Sequence, residues 1–204
     1  MKLYYSKGSC ALAVRIVINE IGLSSDYESV DLKLKKTGTG ADFLKVNPKG
    51  SVPTLVTNTG DILTENAVIQ QYLADMNNAS ELLPKVGDIK RYRVLEWLNY
   101  VSTELHKGCA PLFNPNIPQE VKDGVFIPAI KSKLLYVDNH LAANQFLMGD
   151  QFTLADGYLF VVLSWMRHFN INVSDWSHIE KYFSLLMKRP AIQKSLQEEG
   201  ILFR

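Results

Sequence analysis

A proline at the mouth of a β-branched run constrains this chain more than any other single feature. In Asn47-Pro48-Lys49-Gly50-Ser51-Val52-Pro53-Thr54-Leu55-Val56, Pro48 and Gly50 punctuate a loop. Val52-Pro53 then opens an apolar strand where a ladder donor would be expected. Proline has no N–H to give, so it fits at the strand's first position, and a tight X-Pro turn is the usual home of a cis peptide bond. Such a bond turns the backbone N–H and C=O of Val52 outward, free to pair with an extended ligand as with another strand. Asn58-Thr59-Gly60 reads as a hairpin turn with Gly60 at positive φ. Thr64-Glu65-Asn66 follows and opens an apolar-periodic segment, so it marks a helix N-terminus whose N–H groups suit an anion. A strand edge beside an anion site predicts a small peptide with a carboxylate as guest.

Around that stretch the chain divides into unlike halves. Lys2 to Tyr5 reads as a strand and Ser6 to Ser9 as a turn. Val14, Val17, Ile18 and Ile21 form one helical stripe that Gly22 ends. Cys10 falls in the first turn of that helix. There it is either a thiol biased toward thiolate by the positive helix end or a small residue packed under the turn. Tyr27 to Leu32 fits a second strand, Lys33, Lys35 and Lys36 read as a solvated loop, and Asp42 to Val46 as a short helix. The order strand, helix, strand, short helix, hairpin, helix predicts an α/β thioredoxin-like N-terminal domain over residues 1–78.

Asn77-Asn78-Ala79-Ser80 and Leu82-Leu83-Pro84 suggest a linker over 79–87. Beyond it there is almost no strand pattern, which predicts an all-α helical bundle as the C-terminal domain, residues 88–204. Its first helix carries Val94, Leu98, Val101 and Leu105 as a packing stripe. A polar stripe lies beside it: Tyr92, Glu96, Asn99, Thr103 and His106. That stripe is either a solvent face or one wall of a cleft, since amide, hydroxyl and imidazole groups suit a polar ligand. Pro111 is expected to break or kink this helix. Pro118 to Leu141 predicts a long helix, and Thr153 with Asp156 spells a capping box at the head of a central helix packed through Tyr158, Val161, Val162 and Trp165. Segments 175–187 and 190–198 complete the bundle.

The balance of 22 basic against 21 acidic residues argues against nucleic acid or anionic membrane as partner. No apolar run approaches the roughly 20 residues that span a bilayer, and Met1 to Tyr5 meets a strand pattern without a signal-peptide core. The chain is therefore expected to be soluble and cytoplasmic. Cys10 and Cys109 show neither a CxxC spacing nor a zinc pattern, so no disulfide framework and no metal are expected.

Taken together, the thioredoxin-like front, the Val52-Pro53 turn, the Glu65-Asn66 helix start and the helical back half resemble the cytosolic glutathione transferases over essentially the whole chain. Tyr5, Cys10, the Asn47-Pro48-Lys49-Gly50 run, Glu96 to Tyr100 and Thr103 to Lys107 are similar to the bacterial beta class. The resemblance implies glutathione as co-substrate and a homodimer. It implies that Cys10 faces the glutathione sulfur and that Val52, before cis Pro53, pairs with the cysteinyl amide. Lys35 would take the glycine carboxylate. Glu65 suits the γ-glutamyl ammonium, because its charge repels a carboxylate, leaving Asn66 and the helix N–H groups for that carboxylate. Asn99, Thr103, Glu104 and His106 would supply a polar wall, some of it reaching the partner subunit's glutathione.

The reaction so implied is detoxification by attack of the glutathione thiolate on an electrophilic, largely apolar small molecule, with Cys10, His106 and Tyr5 as candidate catalytic groups and Ser9 as another available hydroxyl. Two alternatives remain. One is a glutathione-dependent monothiol disulfide reductase working through a Cys10 mixed disulfide. The other is a non-catalytic ligand-binding protein of the same fold.

Overall fold

The computed structural model describes residues 1–202 of the 204-residue chain. Its contacts form two units, residues 1–80 together with the segment from Arg189 onward, and Glu81–Lys188. This grouping departs from the expected division at the C-terminal end, where the last helix joins the first unit.

The first unit is built on β1 (Lys2–Tyr5), α1 (Ala11–Ile21), β2 (Asp26–Asp31), β3 (Lys36–Thr37), β4 (Thr54–Val56), β5 (Ile62–Thr64) and α2 (Asn66–Met76). The sheet order is β3-β2-β1-β4-β5. β1 and β2 are parallel across the α1 crossover, while β4 and β5 add antiparallel as a hairpin. β3, inside the lysine-rich loop, pairs Val30 with Thr37; at two residues, it carries no period-2 pattern to betray it. Successive residues of β1 alternate between faces. Leu3, opposite Leu55, is wholly buried, while Tyr4 packs with Val30 and Phe43 and the flanking Val46, Val52 and Val56. The apolar stripe of α1 is buried from Ala11 to Ile18, and Gly22 closes the helix at φ 74°. Buried within that run is a charge, Arg15. It is answered by α9 (Pro190–Glu198), whose Glu198 and the following Glu199 take its guanidinium.

The second unit contains α3 (Ile89–Tyr100), α4 (Lys107–Phe113), the short turn α5 (Gln119–Val121), α6 (Ile127–Leu141), α7 (Leu154–Trp165) and α8 (Ser177–Met187). α3 and α4 are joined without a break by a wide π turn over Val101–His106, and a second π turn over Lys122–Phe126 joins α5 to α6. Pro111 lies inside α4, and the helix outlasts it by two residues before Asn114 turns extended. Every residue of α7 is buried, as expected of a central helix. Its capping box forms: Asp156 accepts from the Thr153 N–H at 2.8 Å and the Thr153 hydroxyl at 2.9 Å, and also from the Leu147 N–H and the Tyr182 hydroxyl.

Candidate functional site

In the first unit the expected residues converge through backbone geometry. Asn47, almost fully buried, donates from Nδ2 to the Ser51 carbonyl and the Thr54 hydroxyl, both at 2.9 Å, and accepts the Lys49 N–H. It fixes the loop leading to the Val52-Pro53 peptide bond, which is cis. Cys10 is the N-cap of α1 rather than part of its first turn, and its Sγ donates to the Val52 carbonyl at 3.4 Å. The thiol and the outward-turned carbonyl, deduced separately from the sequence, thus meet. Ser9 is spent locally, its hydroxyl accepting from the Ala11 N–H at 3.3 Å.

Lys35 differs from its neighbours Lys33 and Lys36: it is partly buried, adopts φ 55°, and donates from Nζ to the Gly50 carbonyl at 2.8 Å. A Cβ at Gly50 would stand 3.2 Å from Cδ and Cε of Lys35 and 3.0 Å from Leu44 Cδ2, and Gly50 itself has φ 60°. Glycine is what lets the lysine lie across the loop. Glu65 caps α2 at φ 69° with an exposed carboxylate. That carboxylate is held at 2.8 Å by the ammonium of Lys49, which also donates to the Thr64 hydroxyl at 3.0 Å. An ammonium on Glu65 is the contact expected of a γ-glutamyl group. In the sequence Lys49 is one member of a loop motif, and nothing local signals a partner sixteen residues on.

Two expectations about side chains change. Asn66 is buried, with Nδ2 donating to the Cys10 carbonyl and Oδ1 accepting from Gln70. One N–H of its amide ties the start of α1 to the start of α2, and the backbone N–H groups of the α2 start stand beside it as donors for a carboxylate. Tyr5, one face away from Tyr4, lies 4.6 Å from the Arg15 guanidinium and edge-on to Tyr27, packing on the α1 side of the sheet.

In the second unit the polar stripe is real, and the π turn falls within it. Asn99 and Thr103 are exposed, with the Thr103 hydroxyl donating back to the Asn99 carbonyl at 3.0 Å. Glu104 is turned to Lys133 of α6 at 2.9 Å, and this ammonium holds its carboxyl below the usual range. His106 is part-buried, with Nδ1 2.6 Å from the Tyr158 hydroxyl and its ring edge-on to Trp165. Burial, with Lys107 adding, pushes the imidazole down to about 4. It is neutral at pH 7 and can act as a hydrogen-bonding group, not as a cation. Trp165 also meets Phe113, which continues to Phe169.

A cleft of about 520 Å³ opens elsewhere in this unit, between the loop after α6 and α8, lined by Leu141, Asn144, His178, Lys181, Tyr182 and Leu185 among others. None is a sequence-predicted site residue. Asp138, paired with His178 there, is used to cap α8 through the His178 and Ile179 N–H groups. Chemistry, not cavity size, locates the site. Among the described residues no group of three or more acidic, His or Cys side chains could hold a metal.

Residues 8–76 match the model of the glutathione S-transferase N-terminal domain, and residues 100–190 that of its C-terminal domain. The chain belongs to the glutathione S-transferase family. It is 43% identical over 201 residues to glutathione S-transferase GstA of Escherichia coli O157:H7, covering 98% of this chain and all of that one. A sphingomonad glutathione S-transferase solved with glutathione superposes at a TM-score of 0.94 and 39% identity, over 99% of this chain and all of that one. The bacterial beta class glutathione S-transferase of Sphingomonas chungbukensis gives 0.95 and 38% over the same shares. The resemblance read from motifs and the thioredoxin-like plus helical fold both agree with these findings.

Proposed function

We propose that this transferase conjugates the glutathione thiolate to electrophilic, largely apolar small molecules. The observation that carries the reading is the Cys10 Sγ on the Val52 carbonyl, in the same unit as Lys35 and Glu65. In this reading the Val52 backbone pairs with the cysteinyl amide, Lys35 takes the glycine carboxylate, and Glu65 exchanges Lys49 for the γ-glutamyl ammonium. The α2 N–H groups receive the γ-glutamyl carboxylate. Cys10 faces the glutathione sulfur as it arrives. By resemblance to the family, Asn99, Thr103 and neutral His106 are further hydrogen-bonding groups for glutathione, and Glu104 joins them on release from Lys133. Tyr5 supports the sheet beneath rather than the reacting atoms.

Calorimetric titration with glutathione, followed by a conjugation assay with an aromatic halide, tests this directly. Binding and turnover are expected; absence of both would remove the transferase reading. A cytoplasmic homodimer is proposed with it, supported by the family and by the lack, among the described residues, of a helix long and apolar enough to cross a membrane. Light scattering of the purified chain should return twice its 23.0 kDa mass.

A further inference from the structure

The loop that presents Cys10 is tied to the far end of the chain. Glu199, just past α9, is buried. One of its oxygens accepts the Arg15 Nε at 3.2 Å, and the other accepts the Gly8 N–H at 2.8 Å. Arg15 is in turn locked, its guanidinium 3.6 Å from the Tyr27 ring centre and its Nη1 3.3 Å from Glu198. Farther along α1, Asn19 donates to Ser195 and Glu198, and Glu20 pairs with Arg189.

Clamping α9 to α1 would need only the Arg15, Asn19 and Glu20 contacts. Glu199 does something more, because its second oxygen leaves α1 and reaches back to a main-chain amide two residues ahead of Cys10. Gly8 stands at φ 70° in a turn closed by the Ser9 N–H on the Ser6 carbonyl. A Cβ there would come within 3.9 Å of Ile201, so the C-terminal segment also lies over the turn. A buried carboxylate accepting a backbone N–H makes a strong, directional bond. Two residues later comes the N-cap cysteine, with its sulfur on Val52.

We propose that Glu199, oriented by Arg15, is a positioning residue for Cys10: through the Gly8 amide it fixes the Ser6–Cys10 turn and so sets where the sulfur meets glutathione. The proposal rests on Cys10 being the sulfur that faces glutathione. It makes the C-terminal segment a support of the site rather than a cover for α1.

The test compares wild type, Glu199→Ala and Glu199→Gln as full chains, well below each one's melting midpoint. Two rates are measured: iodoacetamide alkylation of Cys10 without glutathione, mapped by peptide mass, and glutathione conjugation resolved into kcat and KM. Alkylation of Cys109 is followed as an internal control. In Glu199→Ala the turn relaxes, the sulfur leaves the Val52 carbonyl, and Cys10 alkylates about tenfold faster as it gains exposure. Conjugation falls in kcat by about tenfold or more, because a misplaced sulfur loses its alignment. Glu199→Gln lies between, since the NH2 that replaces one carboxylate oxygen is a donor and cannot accept from Gly8 or Arg15. Cys109 stays unchanged.

Rates for Cys10 within roughly twofold of wild type, whatever the loss in melting temperature, would overturn the proposal and leave a clamp alone. A parallel rise at Cys109 would do the same, by marking general loosening. Should Glu199→Ala not fold, Glu199→Gln is judged by the same criteria. If wild type itself shows no glutathione turnover, the proposed function fails, yet the alkylation rates still decide whether Glu199 positions Cys10.

Discussion

Cys10 and Cys109 carry the same thiol on two helices, in opposite settings. Cys10 ends a loop as the N-cap of α1, slightly exposed, its sulfur directed at a carbonyl from another loop. Cys109 lies within α4 with no exposure, and burial pushes its thiol up to about 12. The contrast extends to the units around them. In the first, polar groups sit at the ends of short elements and are oriented by main chain, so N–H and C=O groups remain able to meet a ligand. In the second, Glu104 and His106 sit along helices whose main chain is already satisfied and answer Lys133 and Tyr158, while Asp156, at a helix start, is spent on its own cap and on Tyr182. A site built at element ends is open to a partner; one built along packed helices is mostly committed.

The sharpest way to break this comparison is to exchange thiols with glutathione disulfide. Thiolate at Cys10 attacks one sulfur, forms a Cys10–glutathione mixed disulfide and expels glutathione thiolate. Intact mass spectrometry should show one glutathionyl group on wild type, none on Cys10→Ala, and wild-type labelling on Cys109→Ala. Labelling carried by Cys109 would erase the distinction.

A nearly as large effect is expected on stability at Asp156, where four donors meet one buried carboxylate. Burial raises this carboxyl against those donors. Asp156→Ala strands the Leu147 and Thr153 N–H groups and the Tyr182 hydroxyl, and removes a helix cap. The expected loss is about 3 kcal/mol, measured by urea unfolding. A loss below roughly 1 kcal/mol would mean that water replaces the carboxylate.

Glu65 tests the open half. Glu65→Gln removes a charge-assisted contact for the ligand's ammonium, so KM for glutathione should rise about tenfold with little change in kcat. An unchanged KM would leave the carboxylate to Lys49 alone.

How much of this was legible depends on distance along the chain. The stripe of α1, Gly22, the Gly60 turn, the cis Val52-Pro53 bond and the Thr153–Asp156 box are local patterns, and each is found in the structure. Arg15 is a charge beside the α1 stripe, but the carboxylates that answer it lie more than 180 residues away, and no spacing rule reaches so far. The π turn is equally hidden, since its extra residue per turn leaves the Asn99, Thr103 and His106 spacing readable as ordinary helix. Asn66 was correctly singled out as a polar helix start, but the sequence does not reveal that the amide binds the Cys10 carbonyl.

His106 offers a pH test of the committed half. Its folded-state value of about 4 lies below the ordinary 6.5. Between these values the unfolded chain binds more protons, so stability rises with pH across that window and is lost as pH falls through it. Each unit of separation corresponds to about 1.4 kcal/mol. Urea midpoints measured from pH 4 to 6.5 should climb more steeply in wild type than in His106→Phe. Equal slopes would mean that His106 titrates as an exposed imidazole and that the helical wall is more open than its packing suggests.

The smallest expected effect decides what Lys49 does to Glu65. The pair is exposed on both sides, so it contributes no more than about 1 kcal/mol. Because its ammonium holds the carboxylate expected to receive glutathione, Lys49→Met should tighten glutathione binding by about two- to fivefold, and the gain should shrink as salt is raised. Weaker binding in Lys49→Met would instead make Lys49 a ligand contact in its own right, adding a side chain to a half-site otherwise oriented by main chain. Either result fixes whether the open half waits with its anion already paired.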